Sequence, residues 1–382
     1  MSGLATARTD VVGSLLRPAR WKEARLRLDS GLMDRESFAR LELDCVRKNL
    51  ELQEGAGLDV VTDGEISRLN FQDSFGLSVS GYDSGSGESI GSQESRSAGG
   101  TPLSRWEIPD LAGPGTPVIH RRPVRQRLQL TRNVPLEEYL RVAPLAKRPV
   151  KVTLIGPDRI AQRFDHERSR DVYSGVDDFV QDVVAIQRAM VKQLVDAGCR
   201  YVHIDAPGYT AYVDEPSLSA MRARGEDPWQ NFARSLKADA ALVEGFPGVT
   251  FGIHLCRGNQ RSMWHREGSY DAIAERLFNE LPHQRFLLEY DTPRAGSFAP
   301  LRFVPRDKIV VLGLVSTKVA RLEPVEELRR RIDEAARFVP LANLALSPQC
   351  GFGSDVVGNL VNEDDQKRKL ERVVETARQV WR

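Results

Sequence analysis

The amino-acid sequence predicts an α/β fold, and within that class a (β/α)8 TIM barrel, on the basis of three observations. Short apolar runs of strand length alternate with amphipathic runs of helix length along most of the chain. Alternation of this kind is typical of a parallel sheet covered by helices. Eight strand-like runs are present, which is the number that closes such a barrel. The 382 residues suit one large catalytic barrel that occupies the whole chain, residues 1–382.

The composition argues against several classes of protein. Hydrophobic residues make up 41% of the chain and charged residues 28%, which is ordinary for a soluble globular protein. The net charge of +1 and the lack of a basic stripe with interleaved aromatics give no reason to expect a nucleic-acid partner. The longest apolar runs are too short to span a membrane, and the N-terminus shows no hydrophobic signal region. The four cysteines are scattered, so we expect a cytoplasmic protein without disulfides.

The first two strands are predicted at residues 9–16 and 58–65. A long helix is predicted between them, at residues 34–57, where an amphipathic pattern ends at a glycine. These elements would supply the first two of the eight strands. A doubly wound open sheet is the alternative architecture. The absence of a GxGxxG motif after the first strand counts against a dinucleotide-binding version of that sheet.

An insertion interrupts the alternation of strands and helices after the second strand. Residues 80–102 are rich in glycine and serine and predict a mobile loop, and the whole insertion extends over residues 80–117. Residues 118–130 then show the alternation of a β-hairpin strand and carry four arginines. We interpret this hairpin as a solvated surface feature, with an anion-binding role as the alternative. The arginines are Arg121, Arg122, Arg125 and Arg127.

From residue 150 onward the alternation is regular. Six strands are expected, and the helices between and after them carry apolar residues at helical spacing. The predicted strands cover residues 150–157, 200–208, 249–256, 285–291, 308–316 and 342–351. The predicted helices cover residues 177–199, 227–246, 269–281, 324–339 and 363–381.

His254 and Cys256 lie two positions apart at the end of a predicted strand. Residues i and i+2 of a strand point to the same face, so both side chains can reach one ion. The carboxyl ends of the strands are also where barrels of this kind place their chemistry. Taken alone, the pair is better explained as two core residues, because cysteine is among the most buried residue types.

Two other strand ends change this interpretation. The next predicted strand contains Glu289 near its end, and the last one is followed by Cys350. In a barrel these residues would meet His254 and Cys256 at one rim. One imidazole, two thiolates and a carboxylate form a ligand set that Zn²⁺ accepts in tetrahedral geometry. The four residues together therefore favour a zinc site over core packing.

Several motifs occur in order at these strand ends and cover nearly the whole chain. With them, the sequence resembles the C-terminal catalytic barrel of cobalamin-independent methionine synthase, and more closely the short, single-barrel members of that family. The resemblance implies a zinc-dependent methyltransferase that acts on a thiol, with homocysteine as acceptor and methionine as product. It also implies that His254, Cys256, Glu289 and Cys350 are the zinc ligands. The motifs are VVGSLLRP (11–18), VTDGEISR (61–68), IGP (155–157), HIDAP (203–207), HLC (254–256) and SPQCG (347–351).

The resemblance further implies that Ser14, Glu65 and Asp205 hold the amino-acid part of the acceptor. The ammonium group needs carboxylates, which Glu65 and Asp205 would supply at the catalytic centre, and the acceptor's carboxylate needs donors such as Ser14. A salt bridge to Arg68 or a helix cap would be the purely structural role of the two acids. Among the metal ligands we expect Glu289 to be exchanged for substrate, because a carboxylate is the hardest donor of the set.

The chain departs from the family where the methyl donor is concerned. Folate-dependent relatives carry a histidine after the seventh strand that is thought to protonate the folate, whereas this chain has Ser316 and Thr317 there. Lys318 is a poor acid near neutral pH. Ala206 also stands where relatives have a carboxylate. The donor is therefore left open between methyl-tetrahydrofolate and methylcobalamin, of which the second needs no acid catalyst.

Two other functions fit parts of this pattern. A zinc-dependent epoxide–thiol alkyltransferase of the coenzyme M type would use arginines, either those of the hairpin or Arg257, to bind a sulfonate. A non-catalytic zinc-binding barrel is the third possibility, although a barrel of this size does not need a metal to fold. The carboxylates at Glu65 and Asp205 favour an amino-acid thiol over a sulfonate.

Overall fold

The structure is a computed structural model that describes residues 3–83 and 121–381. A parallel sheet of six strands in consecutive order, β3 to β8, forms most of a barrel, and β1 and β2 form a separate pair. The apolar runs predicted from residue 150 onward account for all six parallel strands. The strands are β1 (Val79–Tyr82), β2 (Val124–Leu130), β3 (Lys151–Ile155), β4 (Tyr201–Asp205), β5 (Thr250–Leu255), β6 (Arg285–Glu289), β7 (Ile309–Val315) and β8 (Leu344–Pro348).

Two N-terminal segments close the barrel between β8 and β3. Thr9 forms a parallel bridge with Leu346 of β8, and Val61 forms one with Val150, next to β3. The two segments are joined to each other mainly through side chains, as where the backbone N–H of Asp59 donates to Thr9 Oγ1 at 2.8 Å. One backbone bond, from the N–H of Leu15 to the carbonyl of Gly64 at 3.0 Å, also joins them. The predicted (β/α)8 barrel is therefore confirmed, as a closed structure.

The predicted strands at 9–16 and 58–65 are much less regular than expected. Each contributes a single backbone bridge instead of a full ladder. The physical reason is that side chains replace ladder bonds here: Thr62 Oγ1 donates to the carbonyl of Gly13 at 2.6 Å. Gly64 also has φ of 80°, a left-handed conformation that interrupts a strand.

The helices surround the barrel, and those predicted from the sequence are all present. Helix α2 begins after Asp34, whose side chain accepts from the N–H of Ser37, and ends at Gly57 in the left-handed conformation. Among the described residues, none of the helices is long and apolar enough to cross a membrane. The helices are α1 (Ala19–Asp29), α2 (Arg35–Ala56), α3 (Asp73–Gly76), α4 (Val134–Val142), α5 (Pro157–Gln162), α6 (Val176–Asp196), α7 (Glu215–Ala223), α8 (Pro228–Val243), α9 (Asp271–Glu280), α10 (Val325–Ala335) and α11 (Glu363–Val380).

The hairpin strand predicted at 118–130 is present as β2, and it pairs in antiparallel fashion with β1. Strand β1 includes residues 80–82, which the sequence had suggested as the start of the mobile loop. The remainder of that predicted loop, residues 84–117, lies outside the described residues.

The hairpin arginines whose ion pairs are described lie on the surface. Arg121 pairs with Glu226 at 2.6 Å, and Arg125 pairs with Asp83 at 2.7 Å. Arg127 contacts Asp178 at 2.8 Å. The solvated interpretation of the hairpin is consistent with these exposed pairs, because each of the three cations already faces a carboxylate.

A polar layer lies inside the barrel at the amino ends of its strands. Asp10 is completely buried and accepts from Lys151 Nζ at 2.8 Å, Tyr201 hydroxyl at 2.7 Å and Arg285 Nε at 3.1 Å. The two cations hold the pKa of Asp10 below its usual value although burial opposes them. The layer ties the first segment to β3, β4 and β6, and leaves the opposite, carboxyl end of the barrel for the site.

Candidate metal centre and acceptor pocket

The carboxyl ends of three strands, β5, β6 and β8, bring the predicted metal ligands together. His254 is in β5 and Cys256 follows it, Glu289 ends β6, and Cys350 lies just after β8. Their ligand atoms all lie within 4.8 Å of one another, and all four residues are buried. The two sulfurs, Cys256 Sγ and Cys350 Sγ, are 3.5 Å apart. A tetrahedral site with metal–sulfur bonds of about 2.3 Å separates two sulfurs by roughly 3.8 Å, so the spacing fits a metal.

The ring of His254 is held in the orientation that a metal ligand needs. Its Nδ1 lies 3.1 Å from the carbonyl oxygen of Leu287. Its Nε2 is buried and has no hydrogen-bond partner. A hydrogen bond from Nδ1 to a carbonyl fixes the tautomer that leaves the Nε2 lone pair free for a metal. An unpartnered buried nitrogen is costly without such a ligand.

Glu289 is held by two donors, one on each oxygen. The backbone N–H of Arg257 donates to Oε1 at 2.7 Å, and Arg294 Nη2 donates to Oε2 at 2.6 Å. Burial opposes ionisation, but Arg294, Lys318 and His254 keep the pKa of Glu289 below its usual value. The carboxyl group is therefore ionised and ready to act as a ligand.

The electrostatics of the cluster favour a positive charge at its centre. Burial lowers the pKa of His254, yet its contact with Cys256 and the charges of Asp205, Cys256 and Glu289 raise it to about 9. Contact with Cys350 and burial raise the pKa of Cys256 well above its usual value. The Cys256 thiol consequently loses its proton only when a cation is present to stabilise the thiolate.

The predicted acceptor residues lie beside this cluster. The carbonyl of Ser14 accepts from the N–H of Phe352, two residues after Cys350, at 2.9 Å. A Cβ added to Gly351 would come within 2.0 Å of Ser14 Oγ, so only glycine permits this close packing. Ser14 is thus fixed against the loop that carries Cys350.

Glu65 has an unusual backbone conformation. Its φ of 53° is left-handed, which is uncommon for a residue with a side chain and is typical of functional positions. Its Oε1 accepts from Thr153 Oγ1 at 2.6 Å and lies 3.7 Å from Arg68 Nη1. Arg68 makes its shorter contact with Glu138, at 2.5 Å. The salt bridge considered as the structural role of Glu65 is therefore weak, and Oε2 is buried without a partner.

Asp205 ends β4, and its backbone pairs with that of His254 in β5. Its Oδ1 is buried and has no hydrogen-bond partner, and it forms no ion pair with a described residue. Burial, followed by the charge of Glu65, raises the pKa of Asp205 to about 6, although His254 opposes the shift. The described contacts include neither a salt bridge nor a helix cap for this carboxyl, so both structural roles considered for Asp205 lack support.

A cavity of about 810 Å³ opens beside the cluster. Cys256 and Asp205 lie on its wall, together with apolar side chains such as Phe164 and Met221. A cavity of this size can bury a ligand much larger than an amino acid. The cluster is thus accessible from a space that could hold a second substrate.

The loop after β7 contains no free acid. Lys318 is buried, and its ammonium group donates to Gly258 O at 2.7 Å, Asn259 Oδ1 at 2.6 Å and Met263 O at 3.0 Å. All three of its protons are therefore used to tie this loop to the loop after Cys256.

The sequence did not indicate two residues that support the cluster. Arg294 is one of them, because it contacts the Glu289 carboxylate across a turn that has no recognisable motif. Asn259 is the other: its Nδ2 donates to Gly351 O at 2.6 Å and so links the loops of Cys256 and Cys350. The sequence signal for Asn259 was limited to its position, as a polar residue three positions after the candidate ligand Cys256.

The chain is similar to other proteins over nearly its whole length. The uncharacterized protein YxjH of Bacillus subtilis (strain 168) is 35% identical over 383 residues, covering 99% of this chain and 96% of the relative. The methionine synthase of Pyrococcus horikoshii is 25% identical over 348 residues, covering 90% of this chain and 86% of the relative. No family model matches the chain.

A solved structure shows the same fold. The B12-independent methionine synthase of Shewanella sp. W3-18-1, determined in complex with selenomethionine, superimposes with a TM-score of 0.70 at 18% identity and covers 98% of both chains. The likeness extends over the whole barrel. At this identity it is evidence for the fold alone.

Proposed function

Because the chain belongs to the cobalamin-independent methionine synthase family, we propose that it is a zinc-dependent methyltransferase that methylates a thiol, with homocysteine as the acceptor and methionine as the product. The observation that carries this proposal is the cluster of His254, Cys256, Glu289 and Cys350 beside an open cavity. A structural zinc site would have no reason to adjoin a cavity whose wall carries an unpartnered carboxylate, that of Asp205.

The ligand set fits zinc, which would be held by the imidazole, the two thiolates and the carboxylate. When bound, zinc stabilises the thiolate form of a thiol, which is the nucleophilic form. The protein's own contribution is to orient the ligands: Leu287 fixes the ring of His254, while Arg257 and Arg294 hold Glu289.

The acceptor pocket supports an amino-acid thiol. Glu65 Oε2 and Asp205 Oδ1 are both without partners and could accept hydrogen bonds from an ammonium group. Ser14 Oγ would donate to the carboxylate of the same ligand. The selenomethionine bound by the Shewanella protein is consistent with an acceptor of this class.

Three hairpin arginines, Arg121, Arg125 and Arg127, are paired on the surface, which disfavours them as a sulfonate site. The guanidinium group of Arg257 is buried on the cavity wall without a hydrogen-bond partner and could still bind a sulfonate, so the preference for an amino-acid thiol over the epoxide–coenzyme M alternative rests on Glu65 and Asp205.

The loop after β7 bears on the choice between the two candidate methyl donors. Lys318 cannot readily give up a proton while it donates to three acceptors. A methyl donor with a good leaving group, such as methylcobalamin, therefore suits this site better than methyl-tetrahydrofolate, which must be protonated. We place the reaction in the cytoplasm, since all four cysteines are buried and free of disulfides.

The first test is product formation. Zinc-loaded protein is incubated with homocysteine and either methylcobalamin or methyl-tetrahydrofolate, and methionine is measured by mass spectrometry. We expect methionine with methylcobalamin and little with methyl-tetrahydrofolate. Protein stripped of zinc by a chelator, and then reloaded, is the control for metal dependence.

Each result has a clear consequence. Equal rates with both donors would contradict the inference from Lys318, while the proposed thiol methylation would stand. No methionine with either donor would rule out homocysteine methylation by these donors. Activity that persists after the zinc is removed would contradict the metal-dependent mechanism.

A further inference from the structure

Arg294 is placed between two carboxylates at the edge of the metal cluster. Its Nη2 lies 2.6 Å from Glu289 Oε2 and 2.6 Å from Asp291 Oδ1. Its Nη1 donates to Thr292 Oγ1 at 2.7 Å. The side chain is buried, with Trp264 5.8 Å from its guanidinium carbon. The guanidinium group is therefore fixed, and it is not a mobile surface cation.

This contact must weaken Glu289 as a ligand. A charge-assisted hydrogen bond draws electron density away from the carboxylate oxygen that accepts it. The positive charge of Arg294 also repels a metal cation a short distance away, and the repulsion is strong in a buried site. No described hydrogen bond joins a cationic side chain to the other ligands: His254 Nδ1 lies against the carbonyl of Leu287, and Cys256 Sγ contacts Cys350 Sγ at 3.5 Å and accepts a weak bond from Gly258 N–H at 3.3 Å.

We propose that Arg294 is a positioning residue that makes Glu289 the exchangeable ligand of the cluster. It competes with the metal for the Glu289 carboxylate and holds that carboxylate in place when a substrate thiol takes its position. This inference rests on the proposed function, because it needs a metal at the cluster and a thiol that approaches it.

Asp291 acts in the opposite direction on the competition between Arg294 and the metal for the Glu289 carboxylate. Because it shares Nη2 of Arg294 with Glu289, it takes up part of the hydrogen-bonding capacity of the guanidinium group. Removing its charge would leave Arg294 to interact with Glu289 alone. The two neighbouring residues should therefore have opposite effects on metal binding, which a general loosening of the site cannot produce.

The test compares zinc affinity, by competition with a chromophoric chelator, in wild type, Arg294→Met and Asp291→Asn. We expect Arg294→Met to bind zinc about tenfold more tightly than wild type, because the competing cation is removed, and Asp291→Asn to bind it several times more weakly. Arg294→Lys keeps the charge and should lie between wild type and Arg294→Met. Circular dichroism and thermal unfolding confirm that each variant is folded.

A second measurement follows the thiol. In the cobalt-substituted protein, homocysteine should change the visible spectrum of wild type at lower concentration than that of Arg294→Met. Weaker or unchanged zinc binding in Arg294→Met would overturn the role assigned to Arg294. A wild-type cobalt spectrum that does not respond to homocysteine would instead count against the proposed function, so the two failures can be told apart. If Arg294→Met is unfolded, the zinc affinity of Asp291→Asn is the test that remains. Zinc binding by Asp291→Asn that is tighter than that of wild type would overturn the proposal.

Discussion

At the scale of single residues, the site depends on side chains whose polar atoms lack partners in the protein. His254 Nε2, Glu65 Oε2 and Asp205 Oδ1 are all buried and unpartnered. Native proteins pair nearly all their buried polar atoms, so such atoms indicate where a ligand belongs. Here they fall in two groups, one facing the metal cluster and one facing the acceptor pocket, which is the arrangement that the proposed amino-acid thiol requires: its sulfur would meet the metal and its ammonium group the two carboxylates.

The role of Cys350 as a zinc ligand can be tested by substitution. Cys350→Ala removes one of two thiolates from the cluster, and we expect it to lose stoichiometric zinc and at least about 99% of methionine formation, because zinc needs its full ligand set. Cys199→Ala is the matched control, since Cys199 is equally buried but distant in the fold from the cluster. Zinc content is measured by atomic emission. Retention of zinc by Cys350→Ala would exclude Cys350 as a ligand.

At the scale of elements, irregular N-terminal segments replace two regular strands of the barrel. Their backbone bridges are few, so closure depends on side chains, above all on Asp10 and its partners Lys151, Tyr201 and Arg285. Breaking a buried ion pair from one side leaves uncompensated charge, which costs far more than losing a surface pair. The segment held in this way also carries Ser14, so barrel closure positions the acceptor pocket.

Asp10→Asn tests this closure. We expect a decrease in the free energy of unfolding of about 3 to 5 kcal/mol near neutral pH, because Lys151 and Arg285 lose their shared counter-ion. Asp44→Asn is the control: Asp44 forms an exposed pair with Arg20, and its loss should cost less than about 1 kcal/mol. Urea unfolding followed by circular dichroism measures both. Equal effects of the two variants would show that Asp10 does not hold the barrel closed.

At the scale of the whole molecule, the barrel buries neutral histidines away from the site. His283 is completely buried just before β6, and neither ring nitrogen has a partner. Burial, with the nearby charge of Lys308, lowers its pKa to about 3. Because the unfolded chain binds a proton near pH 6.5 and the folded protein does not, this residue removes stability as the pH falls below that value.

His283→Leu should make the protein less sensitive to acid. Between pH 7.5 and pH 5 the wild type loses about 2 kcal/mol of folding free energy through His283, from the separation of about 1.5 units between pH 5 and the unfolded pKa. The loss of folding free energy over the same pH interval should be smaller in the variant by this amount, as measured by urea unfolding at the two pH values. His166→Leu serves as a control because the His166 side chain is partly exposed. An unchanged pH dependence in His283→Leu would contradict a buried neutral imidazole.

The sequence by itself determined the architecture and grouped the four candidate metal ligands. Strand-length apolar runs leave little choice but a parallel sheet, and the carboxyl ends of parallel strands meet at one edge, so His254, Cys256, Glu289 and Cys350 could be grouped without coordinates. Glu65 and Asp205 were identified through the family resemblance and its motifs. These signals are local, since each depends on one residue and its position on one strand.

Only the tertiary structure decided how these residues are supported. Arg294 and Asn259 do not stand out in the sequence, because their roles depend on distances between side chains and loops in space. The structure assigned Lys318 to holding a loop, and it showed that Asp10, at the opposite end of the barrel, closes it through buried charges. Hydrogen bonds and ion pairs between loops depend on side-chain positions in space, which spacing along the chain does not specify.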